Sequence, residues 1–212
     1  MNKYYQILDK ILEQGKPQAN KKGNLRYLLN EQLSLTPGDL LDIFESHSIA
    51  RKKLKNELQL FMQGERQVER YREAGINWWD YCGSVLVNSY PTYFEKLPQL
   101  LARINREKRN SKNYVLFLGE TGAESNQAPC LSLEQFQIDS GELVLSAYQR
   151  SSDANLGLPA DIYHLYLMAR QIDLPLKNIT LNLGNVHLYE NNLERTRQLL
   201  AGNESVKFEL NV

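Results

Sequence analysis

The sequence predicts an α+β domain, and two observations carry that prediction. Apolar residues recur at helical spacing through the first half of the chain, whereas alternating, turn-punctuated stretches dominate the second. A third observation bounds it: 212 residues without internal repeats, low-complexity tracts or an obvious linker suit one domain spanning 1–212.

The elements follow in order. Residues 3–14 place Tyr4, Leu8, Ile11 and Leu12 on one helical face. KPQANKKGN (16–24) is polar and basic, carries Gly and Pro, and reads as a loop. Leu54, Leu58, Phe61 and Met62 mark a helix ending near Gly64, a suitable residue just past a helix end. A second helical stretch, 65–74, leads into the aromatic cluster NWWDY (77–81). Leu97, Leu100, Leu101 and Ile104 predict a helix over 95–107. YVLFLG (114–119) then reads as a buried strand and ETGAESNQAP (120–129) as a loop. LSLEQFQI (131–138) alternates but slips phase between Gln135 and Phe136, which predicts a β-bulge there. DSGE (139–142) is a hairpin turn and LVLSAYQR the returning strand. PADIYHLYLMARQI puts Ile162, Leu165, Ala169 and Ile172 on one face of a largely buried helix. NITLNLGNVHLY alternates again, a helix is expected at 190–201, and VKFELNV (206–212) reads as a last strand.

Composition excludes several classes. Hydrophobic residues make up 42% and charged residues 24%, and Lys+Arg and Asp+Glu both total 25. Zero net charge gives no sign of a nucleic-acid or membrane-surface partner, so an anionic ligand must be small and held by local cations. No apolar run is long enough to span a bilayer, and the first residues lack a signal-peptide core. Cys82 and Cys130 lie far apart, and the three histidines lack metal-like spacing, so no disulfide framework and no metal site are expected. A reducing cytoplasm is the expected compartment.

The stretch from Ala128 to Glu194 carries APC (128–130), YQRSSDANLGLP (148–159) and GNVHLYENNLE (184–194). In that order the pieces resemble the thymidylate synthase family, with QRS-x-D-x-x-LGLP the most specific. Upstream, KNELQLFMQG (55–64) resembles the family's glutamate-bearing helix and NWWDY its tryptophan segment. The resemblance covers about three-quarters of the chain. It implies a bulged antiparallel or mixed sheet with packed helices, a homodimer, a pyrimidine nucleoside monophosphate as substrate and 5,10-methylenetetrahydrofolate as the one-carbon donor.

The chemistry explains the residue types. Carbon 5 of a pyrimidine is a poor nucleophile until a thiolate adds to carbon 6, and cysteine suits that addition. Cys130 stands at a loop-to-strand junction and is the implied nucleophile, with Arg150 the cation expected to favour its thiolate. On the residues alone a buried, inert cysteine is the commoner reading. Arg150 and Ser151 offer a guanidinium fork and a hydroxyl, to which the resemblance assigns the nucleotide phosphate. Lys21 falls where the family's N-terminal loop carries a phosphate-binding arginine. The partner subunit's paired arginines are expected near Lys112–Asn113, which does not match them; Arg106, Lys108 or Arg109 are the available substitutes.

His187 and Tyr189 share one strand face and, by resemblance, hold the sugar's 3′-hydroxyl. Glu57 lies among Leu54, Leu58 and Phe61, where partial desolvation raises a carboxyl pKa into the range for proton shuttling. Tyr90, in NSYP, aligns with a family tyrosine near the nucleophile. Trp79, Asp153, Leu156 and Gly157 match positions that bind the pterin of the folate, although Trp78 and Trp79 also suit a core.

Asp161 bears on the choice of base. Thymidylate synthases carry Asn here, which donates to uracil's oxygen 4 and accepts from its ring N–H. Cytosine presents the opposite pattern, and a carboxyl group matches it. Asp here resembles deoxycytidylate (dCMP) hydroxymethylase, a relative that adds water to the exocyclic methylene intermediate. A plainer reading has Asp161 complementing the helix start after Pro159. Two departures from the family pattern are Leu131, where synthases carry His, and an end at VKFELNV, where synthases continue into a lid that excludes water. The second departure favours water capture and equally permits a different one-carbon carrier or an impaired enzyme. The leading expectation is dCMP hydroxymethylation through a Cys130 adduct. Thymidylate synthesis from dUMP and a non-catalytic nucleotide-binding homodimer are the alternatives.

Overall fold

The computed structural model describes residues 2–119, 128–203 and 206–209. Helix α1 (Lys3–Gln14) starts where the Asn2 side chain accepts from the Tyr4 N–H at 3.0 Å, and it buries Tyr4, Ile7, Leu8 and Ile11. Residues 16–24 depart from expectation. They form strand β1 (Lys16–Asn20), a turn at Lys21 and Lys22, and the start of β2 (Gly23–Leu35), paired antiparallel with Asn20 opposite Gly23. Every residue of β1 is exposed, so no alternation of apolar residues betrays it. The rest of β2 and helix α2 (Pro37–Ser46) go beyond the predicted elements; α2 is fixed by a reciprocal capping box between Thr36 and Asp39.

Helix α3 (Arg51–Met62) ends as expected. Gly64 takes φ +69°, and the Gly64 and Glu65 N–H groups bond back to Phe61 and Leu60, a Schellman arrangement. Three shorter helices follow: α4 (Val68–Glu73), α5 (Tyr90–Phe94) and α6 (Leu97–Glu107). Strand β3 (Val115–Phe117) is a sheet edge, not the fully buried strand expected, and Phe117 stands exposed. Residues 120–127, most of the expected loop before Cys130, lie outside the described residues.

Strands β4 (Leu131–Asp139) and β5 (Glu142–Gln149) form the predicted hairpin, turning through Ser140 and Gly141, both at positive φ as a type I′ turn requires. A bulge exists in β4, but the register slips between Leu131 and Leu133, not at Gln135. The inward parity is Glu134, Phe136, Ile138, and a buried glutamate disguised it in the sequence. A two-residue strand β6 (Ser152–Asp153), helix α7 (Gly157–Ala169), strand β7 (Leu176–Tyr189) and helix α8 (Leu193–Leu200) complete the elements.

The sheet runs β1-β2-β7-β5-β4-β3, with β6 also on β7. β5 and β6 pair parallel to β7 and all other pairings are antiparallel, so the sheet is mixed and open, and the α+β expectation holds. Helix α7 crosses between the parallel strands β5 and β7. Its Ile162, Leu165 and Met168 are buried with Leu145 and Ala147 of β5 and Ile179, Leu181 and Leu183 of β7. Each such side chain contributes about 1.5–3 kcal/mol by leaving water. This crossover places the end of β5 beside the start of α7. The expected last strand is absent among the described residues. Residues 206–209 instead run as irregular chain, tied to α8 where Glu209 exchanges backbone bonds of 2.8 and 2.9 Å with the Asn192 side chain. Among the described residues, no helix is long and apolar enough to cross a membrane.

Candidate active site

A cavity of about 590 Å³ opens between α3, the tryptophan segment, the start of α7 and residues 206–208. Its wall includes Glu57, Trp79, Tyr90, Cys130, Leu156, Gly157 and Asp161, seven of the residues singled out from the sequence. Lys21, Arg150, Ser151, Asp153, His187 and Tyr189 do not line it.

Glu57 projects from the buried face of α3. Its Oε1 accepts from both indoles, at 2.6 Å from Trp78 Nε1 and 2.5 Å from Trp79 Nε1, and its Oε2 lies 3.3 Å from His164 Nε2. Burial pushes its pKa from 4.5 to about 7 although the two indole donors pull the other way. His164 Nε2 lies 3.0 Å from the Leu54 carbonyl, and burial lowers the imidazole pKa to about 4. His164 is therefore neutral at pH 7, and its Nε2–H donates to that carbonyl.

Tyr90 braces the start of β4. Its phenolic oxygen accepts from the N–H groups of Cys130 at 3.0 Å and Leu131 at 3.1 Å, leaving the phenolic hydrogen free to donate. The ring is held against Phe61, with centroids 5.2 Å apart. Arg150 grips the same junction from the other side: its Nε donates to the Pro129 carbonyl at 3.0 Å and an Nη to that of Ala128 at 2.8 Å. These bonds leave other guanidinium donors free, and the side chain is exposed.

The Cys130 thiol does not match the expected activation. Burial and the Asp161 carboxylate push its pKa up, against the pull of Arg150 and Lys22. Lys22, in the turn between β1 and β2, contributes to that pull, and its Nζ sits 5.3 Å above the Tyr81 ring. Asp161, on the first turns of α7, accepts from the Gln149 side-chain amide. Burial and the nearby Glu57 raise its pKa to about 7, against that hydrogen bond.

The remaining residues cluster away from the cavity wall. Asp153 stands opposite His187 in the β6–β7 register, and the Ala154 N–H donates to the His187 carbonyl at 2.8 Å. Burial raises Asp153 to about 6 and lowers His187 to about 4. His187 and Tyr189 share the face expected, with rings edge-to-face at 5.3 Å. Arg106, Lys108 and Arg109 are engaged within the chain, with Glu107, Asp173 and Glu107 respectively.

A family model described as thymidylate synthase matches residues 2–212. The chain belongs to the thymidylate synthase family. That membership makes it an enzyme of the class transferring one-carbon units to carbon 5 of pyrimidine nucleotides. Three residues of this thymidylate synthase family member escaped the sequence reading. His164 lies one helical turn beyond Asp161, and that i,i+3 pair of polar residues in an apolar helix was the available signal. Trp78, which suits a core by sequence, donates to Glu57. His47, on the cavity wall, is stacked on Phe208 at 5.6 Å and within 2.8 Å of the Tyr4 hydroxyl; nothing in its local sequence marked it.

Proposed function

We propose that the protein hydroxymethylates carbon 5 of a cytosine nucleotide, dCMP, with methylenetetrahydrofolate as donor. One observation carries the choice of base: a carboxyl group, Asp161, stands on the cavity wall with its pKa raised to about 7. Protonated, it donates to the ring nitrogen of cytosine and accepts from the exocyclic amine; ionised, it accepts from both the amine and a protonated ring. The ionised form discriminates, because uracil's oxygen 4 has no hydrogen to offer it, whereas the protonated form can also donate to that oxygen and accept from the ring N–H.

In this reading Cys130 Sγ attacks carbon 6, and the new C–S bond moves the ring's electron pair onto carbon 5 and the exocyclic edge. Burial and Asp161 hold the thiol pKa up, so the attack needs a base or a change of surroundings to supply the thiolate, and Arg150 and Lys22 pull in that direction. Arg150 and Ser151 take the phosphate, assisted by Lys21 or the neighbouring Lys22, and His187 and Tyr189 take the 3′-hydroxyl. Glu57, with a pKa of about 7, moves protons at the base edge. Tyr90 supplies a phenolic hydrogen beside the nucleophile. The folate supplies the one-carbon unit. Its flat pterin suits a wall made by Trp78, Trp79, Leu156 and Gly157, with Asp153 near by, in a cavity of ordinary ligand size. A homodimer is part of the proposal and rests on the membership of the family.

The test is tritium release from carbon 5 of dCMP and dUMP side by side, with product separation. Hydroxymethyl product from dCMP without dihydrofolate supports the proposal, and Asp161→Asn should shift preference toward dUMP. Thymidylate with dihydrofolate overturns it in favour of synthase activity. Nucleotide binding without tritium release supports a non-catalytic role. Sedimentation as a stable monomer removes the dimer.

A further inference from the structure

Glu134 is fully buried on the inward face of β4, and neither of its carboxyl oxygens has a hydrogen-bond partner among the described residues. A buried carboxyl group without partners is costly, and the three alternating neighbours on that face, Leu131 across the bulge, Phe136 and Ile138, are apolar. The same site holds another bare atom. Gln149 is buried at the end of β5 on the same face, with its Nε2 donating to Asp161 and its Oε1 unpartnered. Glu134 stands opposite Ala147 in the β4–β5 register, so Gln149, two residues on, is its diagonal neighbour, a spacing long side chains bridge.

We infer that Glu134 is a positioning residue for base selection, holding the Gln149 amide in the orientation that donates to Asp161. The inference rests on the reading of Asp161 as the base-contacting group. Burial, and then the Asp161 charge, raise the Glu134 pKa to about 8, so at pH 7 it carries a proton and can donate to Gln149 Oε1. With that end of the amide fixed, Nε2 stays on one Asp161 oxygen and the other remains for the base. An ionised Glu134 can only accept. It draws Nε2 toward itself and strips Asp161 of its donor. The other groups around this network are accounted for. Asp161 faces Glu57 from α3, Tyr90 from α5 and Cys130 at the head of β4, whereas β3 presents Leu116 opposite Glu134.

The test measures the ratio of kcat/KM for dCMP over dUMP between about pH 6.5 and 9.5 in the native protein, Glu134→Gln and Glu134→Leu. The native ratio is expected to fall several-fold as pH rises through about 8. Glu134→Gln, a permanent donor, should lose the fall near pH 8 and keep only the change that Asp161 itself brings near pH 7, and Glu134→Leu should show a ratio lowered roughly 5- to 10-fold already at neutral pH. Ionisation of Cys130 affects both nucleotides and cancels in the ratio. A Glu134→Gln ratio that follows the native one at every pH overturns the inference. Infrared titration of the free protein separates this from failure of the parent reading. The Asp161 carboxyl band, assigned with Asp161→Asn, should titrate at higher pH in Glu134→Leu, because the Gln149 bond that lowers its pKa is loosened. If no nucleotide reacts but the band moves, the functional reading fails and the Glu134 coupling stands. If the band stays where it is in the native protein, the coupling is refuted.

Discussion

Replacing Glu57 by Gln should make the protein more stable at alkaline pH while disabling it. Glu57 is buried, and its pKa in the folded chain is about 7 against 4.5 for the exposed group. A carboxyl whose folded value is raised contributes no penalty below the unfolded value. The penalty grows as pH rises from 4.5 toward 7 and is complete above that. At ~1.36 kcal/mol per pKa unit, ionised Glu57 destabilises the fold by about 3 kcal/mol near pH 8 and by under about 1 kcal/mol near pH 5. Glutamine keeps an oxygen for the two indole donors and removes the ionisation. Its amide meets His164 Nε2, which adds a cost, but that cost is the same at both pH values because His164 stays neutral across the range. The difference between the two conditions, about 2–3 kcal/mol, is thus the quantity to measure, by urea denaturation followed by circular dichroism. Loss of the Glu57 charge also lets the Asp161 pKa fall, which acts in the same direction. Carbon-5 tritium release should drop by ~10²–10⁴-fold if Glu57 moves the proton. A stability change of equal size at about pH 5 and pH 8 would refute the assignment of a desolvated, titrating carboxyl.

Three further outcomes test other parts of the site. Tyr90→Phe removes the acceptor for two backbone N–H groups, one buried and one part-buried, and should cost about 2–6 kcal/mol, at ~1–3 kcal/mol for each donor left bare, read from thermal unfolding. Alkylation of Cys130, followed by peptide mass spectrometry, should slow several-fold near neutral pH in Arg150→Ala and in Lys22→Ala, because each cation lowers the thiol pKa. Lys21→Ala should leave that rate unchanged, and an equal effect of the two lysines would contradict the placement of the turn. Gly15→Ala puts a Cβ 2.4 Å from the Ile11 carbonyl oxygen and 2.9 Å from Arg26 Cβ. Overpacking of that kind costs ~1–3 kcal/mol, and a neutral result would show that the α1–β1 junction yields easily.

The parts of the fold legible in the sequence are those whose burial follows one period. Helices α1, α3, α6 and α7 and the β4–β5 hairpin have that property, and Gly64 and Ser140–Gly141 mark their ends by backbone requirement. Strand β1 was hidden because pairing with β2 holds it while every side chain faces water. The bulge was placed too late because Glu134 occupies an inward position that pattern reading reserves for apolar residues. The residues expected at the nucleophile were found together where neighbouring elements converge, with Glu57, Tyr90, Cys130 and Asp161 on one wall. What the sequence concealed was direction: which of two adjacent lysines in a turn faces the thiol, and whether burial or a cation sets the thiol pKa. Both depend on distances between segments far apart in the chain.

The pairing of Trp78 and Trp79 on one oxygen of Glu57 has a practical consequence. The chain contains just two tryptophans, so all of its indole emission arises from side chains bonded to a single ionisable group. The natural fluorescence of this protein is therefore wired to the charge of its cavity, and a titration of emission intensity reads that charge without label or substrate.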